Sequence, residues 1–210
     1  MAVDLVSIFK TNRVIPVAQF DDRESALKTA GLLVKNSISI LEITLRTESA
    51  IENIRAVSRE FPALTVGAGS VLSRDALAKA CDAGAAFCVA PGLDLALLEY
   101  AEERGMPFMP GVATPSELNA ALAACDLIKL FPASLLGGVE YIKAVSAPFR
   151  SRNFHLVPTG GVNRENYLDY LKQEWVIAVG MSYVVDSALV MKGDYSALEE
   201  RMKSVMSALA

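Results

Sequence analysis

The chain has 210 residues, 52% of them hydrophobic, and a net charge of −4. That is enough apolar material for a substantial core and excludes a disordered chain. The absence of a Lys/Arg-rich run argues against nucleic acid or an anionic membrane as the partner. Mean hydropathy is positive, yet Gly, Pro or charge breaks every apolar stretch well short of the roughly 18 residues that a membrane span requires. Met1-Ala2-Val3-Asp4 has no basic region leading into an apolar one, so no secretory signal is read and a cytoplasmic location is expected.

Short β-branched or apolar runs alternate with amphipathic segments of about 12 to 15 residues, the pattern of successive βα units. An extra helix is expected over Val3–Lys10, covering one end of the molecule. Strands are expected at Val14–Gln19, Ile40–Leu45, Thr65–Gly69, Phe87–Ala90, Pro107–Pro110, Leu127–Phe131, Leu156–Thr159 and Val176–Val179. The intervening helices are read at Arg23–Asn36, Ser49–Phe61, Arg74–Ala83, Leu95–Arg104, Ser116–Ala124, Val139–Val145 and Arg164–Lys172, with Tyr195–Leu209 last. No linker or low-complexity stretch divides the chain. The expected fold is α/β, a single (β/α)8 TIM barrel over residues 1–210 with an extra N-terminal helix. An open doubly wound sheet is the structural alternative.

Cap signals support these boundaries. Thr114-Pro115-Ser116-Glu117 reads as a capping box with Pro at the first helical position. Gly84 and Gly105 suit left-handed C-caps, and Asn163 is placed as the cap of the helix after strand seven. Cys81, Cys88 and Cys125 lack a CxxC pair and read as reduced packing residues. His155 is the only histidine and falls at the start of a strand, the wrong end for barrel chemistry. A His-rich metal site is therefore not expected, and no metal or other cofactor is assigned.

Lys129 interrupts the apolar run Leu127-Ile128-Lys129-Leu130-Phe131-Pro132-Ala133. Burying an ammonium costs several kcal/mol unless it is paired, so buried amines tend toward the neutral, nucleophilic form. A Schiff-base lysine needs that form. In Leu41-Glu42-Ile43-Thr44-Leu45-Arg46 the polar residues are spaced by two, so they share one face while Leu41, Ile43 and Leu45 face the helices. On that face Glu42 can serve as general acid and base, and Arg46 can grip a carboxylate with two hydrogen bonds. The bland alternatives are a Glu42–Arg46 ion pair and a lysine that snorkels to solvent. Gly67-Ala68-Gly69-Ser70 permits close approach of a ligand and offers a hydroxyl. Thr159-Gly160-Gly161 exposes backbone N–H groups suited to an anion, and Ser182 lies where barrels often bind phosphate. A plain turn explains those glycines nearly as well.

Five segments in order carry a resemblance: Glu42-Ile43-Thr44-Leu45-Arg46-Thr47, Gly67-Ala68-Gly69-Ser70-Val71, Pro110-Gly111-Val112-Ala113-Thr114-Pro115, Ile128-Lys129-Leu130-Phe131-Pro132-Ala133 and Pro158-Thr159-Gly160-Gly161-Val162. Together they resemble the 2-keto-3-deoxy-6-phosphogluconate (KDPG) and 4-hydroxy-2-oxoglutarate (KHG) aldolases. The resemblance implies a metal-independent class I aldolase, commonly a homotrimer, that cleaves a 2-keto acid to pyruvate and an aldehyde. It implies Lys129 as the Schiff-base residue and Glu42 as the proton shuttle. Arg46 and Ser70 would hold the pyruvate carboxylate, Phe131 would pack near the imine, and Thr159 would lie beside the pyruvyl group. Gly160, Gly161 and Ser182 would receive the distal phosphate.

Two positions depart from the family pattern. Ser70 stands where Thr is common, and Met181 precedes Ser182 where many members have Gly, so its side chain could narrow the anion pocket. Phosphorylated and unphosphorylated substrates both stay open, with the phosphorylated one expected to be preferred. A sugar-phosphate isomerase or epimerase, or a non-catalytic sugar-acid binding protein, are the rival readings; neither requires a covalent imine.

Overall fold

A computed structural model of the chain describes residues 4–209. The expected start of the first helix at Val3 lies outside the described residues; the helix itself, α1, runs Leu5–Asn12, with the Asp4 side chain accepting from the Ser7 N–H as its cap. The order continues β1 (Val14–Ala18), α2 (Arg23–Lys35), β2 (Ile40–Thr44), α3 (Ala50–Glu60), β3 (Thr65–Gly69), α4 (Arg74–Asp82), β4 (Phe87–Val89) and α5 (Leu95–Glu103). Then come β5 (Phe108–Met109), β6 (Gly111–Val112), α6 (Pro115–Ala121), β7 (Leu127–Leu130), α7 (Gly138–Ser146) and β8 (His155–Pro158). The chain ends with α8 (Tyr167–Leu171), β9 (Val179–Met181), α9 (Ser187–Lys192) and α10 (Tyr195–Leu209). Among the described residues no helix is long and apolar enough to cross a membrane.

The α/β alternation is as expected and every ladder is parallel, but the closed eight-stranded barrel is corrected. The strands form two sheets, one in the order β5-β4-β3-β2-β1-β9 and the other β6-β7-β8. The expected fifth strand, Pro107–Pro110, is shortened to Phe108–Met109, and beyond Pro110, which has no N–H to donate, a segment not expected from the sequence, Gly111–Val112, pairs elsewhere. Before the proline, Met109 pairs with Val89; after it, Gly111 pairs with Lys129, so the chain leaves one sheet and joins the other. At the opposite seam the segments carrying β8 and β9 form no continuous ladder among the described residues and are joined by the isolated bridges Leu156↔Val176 and Thr159↔Gly180. The last strand accordingly runs Val179–Met181 and not Val176–Val179.

Alternation along the strands divides the apolar residues into two cores. Outward residues such as Leu41, Ile43, Ile128, Leu130 and Val179 pack under the helices. Inward residues of both sheets, among them Ile15, Ile40, Phe87, Met109, Leu127 and Val157, form a second core that Leu5 and Phe9 of α1 seal from below. Phe9 meets Phe87 edge to face, ring centroids 5.5 Å apart, a geometry worth about 0.5–1.5 kcal/mol beyond the area buried. This floor supports the polar residues one layer higher on the same strands.

The capping box at Thr114 and Glu117 is formed, and Gly84 and Gly105 have φ of 90° and 62° at the ends of α4 and α5. The helix after β8 starts later than expected, at Tyr167. The side chain of Asn163 accepts from the Glu165 N–H in a preceding turn and so caps no helix there. Burial pushes the Cys88 thiol up to about 12 and the Cys125 thiol to about 11, as suits thiols held within packed surroundings. His155 opens β8 at its N-terminal end, where burial and then the Lys10 charge hold its pKa below the usual value.

Candidate active site

The two-residue period of a strand places Glu42 on the inner face of β2 and Lys129 on the inner face of β7, one from each sheet. Lys129 is 5% exposed and Glu42 is 2% exposed. Lys129 Nζ and Glu42 Oε1 are 3.7 Å apart, a charge contact slightly longer than a hydrogen bond. Among the described residues Oε1 has no hydrogen-bond partner. A buried carboxylate oxygen without a donor costs stability, so its presence calls for a reason other than folding. Gly69 makes room for it: a Cβ there would lie 2.2 Å from Oε1. Any side chain at this position would force the carboxylate away from its place beside Lys129.

Arg46 lies two residues beyond the end of β2, exposed at the mouth, and its Nε donates to Ser70 Oγ at 3.1 Å. The Glu42–Arg46 ion pair that the spacing allowed is not formed; Glu42 faces Lys129 instead. Ser70 has φ 58°, a left-handed conformation that is strained most for β-branched residues. Serine in place of the common Thr keeps the hydroxyl at lower conformational cost. The Thr44 hydroxyl donates to the Ala18 carbonyl at 3.2 Å, which commits it to holding β1 and β2 together.

Phe131 follows β7 and is joined to Pro132 by a cis peptide bond. Lys129 Nζ lies 5.4 Å from the centre of its ring, within cation–π range. Thr159 follows β8, and the two residues after it have φ of 92° and 74°, which only glycine adopts freely. The Gly160 carbonyl accepts from the Ser134 N–H and the Gly161 carbonyl from Asn166 Nδ2, both at 3.0 Å. With the carbonyls committed, the group this turn can offer an anion is its N–H. Ser182 is exposed immediately after β9. Met181 is fully buried against the helices and takes no part in the wall of the cavity, so its side chain does not narrow the end lined by Gly160, Gly161 and Ser182.

All nine residues singled out from the sequence line one cavity of about 130 Å³ at the C-terminal ends of the strands. Val17, Pro91, Val162 and Gly180 join them there; Val17 and Pro91 were not anticipated, while Val162 and Gly180 were read only as parts of the segments that end strands seven and eight. They carry no reactive group, and Gly180 acts by what it lacks: a Cβ would lie 2.3 Å from Thr159 Oγ1. A depression of about 230 Å³ continues the cavity past Arg46 and Ser182 toward Gln19 and Asp186. A larger hollow of about 440 Å³ near Asp22, Lys28 and Tyr195 is open and lined by solvated charges. The smaller cavity is the site because buried titratable groups converge only there among these hollows.

The KDPG and KHG aldolase family model matches residues 5–201. The KHG/KDPG aldolase of Escherichia coli strain K12 is 40% identical over 190 residues, covering 90% of this chain and 88% of that one. A crystal structure of KDPG aldolase from Legionella pneumophila, with pyruvate captured at low pH as a covalent carbinolamine intermediate, has a TM-score of 0.92 and 33% identity, covering 98% and 99% of the two chains. The KDPG aldolase of Zymomonas mobilis ZM4 with 3-phosphoglycerate has a TM-score of 0.87 and 32% identity, covering 97% of this chain and 95% of that one. With this coverage and a buried Lys–Glu pair in its cavity, the chain belongs to the KDPG and KHG aldolase family and is a carbon–carbon lyase.

Proposed function

We propose that this chain, acting as one catalytic unit over residues 1–210, cleaves 2-keto-3-deoxy-6-phosphogluconate to pyruvate and glyceraldehyde 3-phosphate, and 4-hydroxy-2-oxoglutarate to pyruvate and glyoxylate, through an imine on Lys129. The observation that carries this reading is the buried Lys129–Glu42 contact at 3.7 Å, with a carboxylate oxygen that has no hydrogen-bond partner among the described residues.

The free amine of Lys129 attacks C2 of the keto acid, and loss of water from the carbinolamine leaves a protonated imine. Glu42 supplies and removes the protons of that dehydration. It then takes the C4 hydroxyl proton as the C3–C4 bond breaks. The bonding pair flows into the imine to give a neutral enamine, and the aldehyde departs. Glu42 returns its proton to C3, water adds to the imine, and release of pyruvate restores the amine. Arg46 and Ser70 hold the carboxylate, Phe131 walls the imine, and Thr159 bounds the pyruvyl group. Gly160, Gly161 and Ser182 receive the distal phosphate.

The phosphorylated substrate is preferred in this reading, since the Gly160–Gly161 turn offers N–H groups to an anion. A kcat/KM higher for 4-hydroxy-2-oxoglutarate would reverse the order. Cytoplasmic residence belongs to the same proposal, as does a homotrimer, which rests on the family resemblance.

The decisive experiment is intact-mass analysis after borohydride reduction in the presence of pyruvate, with peptide mapping. A pyruvyl adduct on Lys129 is expected. A folded protein that gains no mass, or gains it on another lysine, would return the choice to an isomerase or a sugar-acid binder, neither of which needs an imine.

A further inference from the structure

The β1–α2 and β2–α3 turns flank the mouth of the cavity and are joined at one atom. The carbonyl oxygen of Phe20 accepts from Thr47 Oγ1 at 2.8 Å, from Ser49 Oγ at 3.0 Å and from Asn53 Nδ2 at 3.2 Å. The second amide hydrogen of Asn53 goes to Ser49 Oγ at 3.0 Å. Phe20 is 1% exposed and Asn53 is wholly buried.

Neither Ser49 nor Asn53 is placed as helix stability alone would place it. Ser49 stands at the N-cap of α3, yet its hydroxyl caps no first-turn N–H and turns to Phe20 instead. Asn53 lies inside α3, where Ala forms helix better, and its Oδ1 is buried with no partner among the described residues. The polar group is therefore kept at a cost, and what it secures is the join between the two turns. Arg46 directly precedes Thr47 in one turn, and Gln19 directly precedes Phe20 in the other. The Arg46 side chain is exposed and is held by Ser70 Oγ at 3.1 Å. Its reach thus depends on where the backbone beneath it is anchored.

We propose that Asn53 is a positioning residue: through the Phe20 carbonyl it sets the backbone that carries Arg46, and so the reach of the guanidinium to the substrate carboxylate. This rests on the assignment of Arg46 as the carboxylate holder made above. Asn53 touches no reacting atom. Its effect belongs in KM, because misplacing a binding group weakens ground-state and transition-state binding alike.

The test uses the full chain with Asn53→Ala and the isosteric Asn53→Asp, which replaces the donating amide by an acceptor. KM for the 2-keto acid is expected to rise about tenfold while kcat stays within about threefold. Borohydride trapping is then compared with pyruvate and with methyl pyruvate, whose ester has no carboxylate charge. Half-maximal trapping should need about tenfold more pyruvate and an unchanged concentration of methyl pyruvate. In an Arg46→Ala background, Asn53→Ala should have no further effect on KM. Should Asn53→Asp fail to fold by circular dichroism, Asn53→Ala alone decides. Equal losses with both ketones, or an unchanged KM in a folded variant, overturn the proposal. A wild-type chain that traps no pyruvate would instead overturn the aldolase reading, so the two failures are distinct.

Discussion

Lys129→Ala is expected to lower turnover of the 2-keto acid by about 10⁴-fold or more and to abolish the borohydride-trapped pyruvate adduct. The size of the effect follows from the chemistry. Without the imine, cleavage at C3–C4 leaves a carbanion with no electron sink, and no other lysine among the described residues lines the cavity. Loss of activity could also come from disturbing a buried ion pair, since removing one partner of such a pair costs about 3–5 kcal/mol. Lys129→Arg separates the two causes. Arginine keeps a positive charge beside Glu42 but does not give up its proton to become a nucleophile. Both variants should therefore be inactive, with Lys129→Arg retaining a cooperative thermal transition. Near-wild-type turnover in either one would end the imine mechanism.

Glu42→Gln is expected to lower kcat by about 10²–10³-fold while leaving the imine on Lys129 trappable, though more slowly formed. Gln has the shape of Glu and fills the same space beside Gly69, so the change isolates proton transfer from packing. In the proposed mechanism, proton movements in carbinolamine dehydration, carbon–carbon cleavage and enamine protonation all fall to Glu42, whose carboxylate is the one that lines the cavity among the described residues. A water can replace it inefficiently, which sets the loss below that of Lys129. Pre-steady-state measurement checks the assignment: a slow C3–C4 step with imine accumulating is expected. An unchanged kcat would make Glu42 a mere counter-charge for Lys129, and the search for the base would move to a bound water.

Much of the site was legible because its signals are local. The two-residue period of a strand is enough to set Glu42 and Arg46 on the side opposite Leu41 and Ile43, and a single lysine in an apolar run is conspicuous wherever the strand ends up. Consecutive glycines after β8 announce a turn with exposed N–H groups. Val17 and Pro91 stayed hidden because they shape the cavity without any reactive group, which leaves no chemical signature. Asn53 stayed hidden for another reason: a polar residue in an amphipathic helix reads as a solvated position, and only packing shows that it is buried.

By itself the sequence determined the alternation of strand and helix, the faces on which Glu42 and Lys129 stand, and the family, since these depend on periodicity and short motifs. Tertiary structure decided how the ladders join. Pro110 ends the expected fifth strand, and whether the chain beyond it stays in the same sheet or joins another depends on partners far away in the chain, here Val89 on one side and Lys129 on the other. Tertiary structure also decided that Met181 turns toward the helices and leaves open the cavity end lined by Gly160, Gly161 and Ser182, that Ser70 takes a left-handed turn to meet Arg46, and that three side chains converge on the Phe20 carbonyl. Each of these is a choice between conformations that are nearly equal locally. Long-range packing and hydrogen bonding supply the difference, and neither is written in any stretch of neighbouring residues.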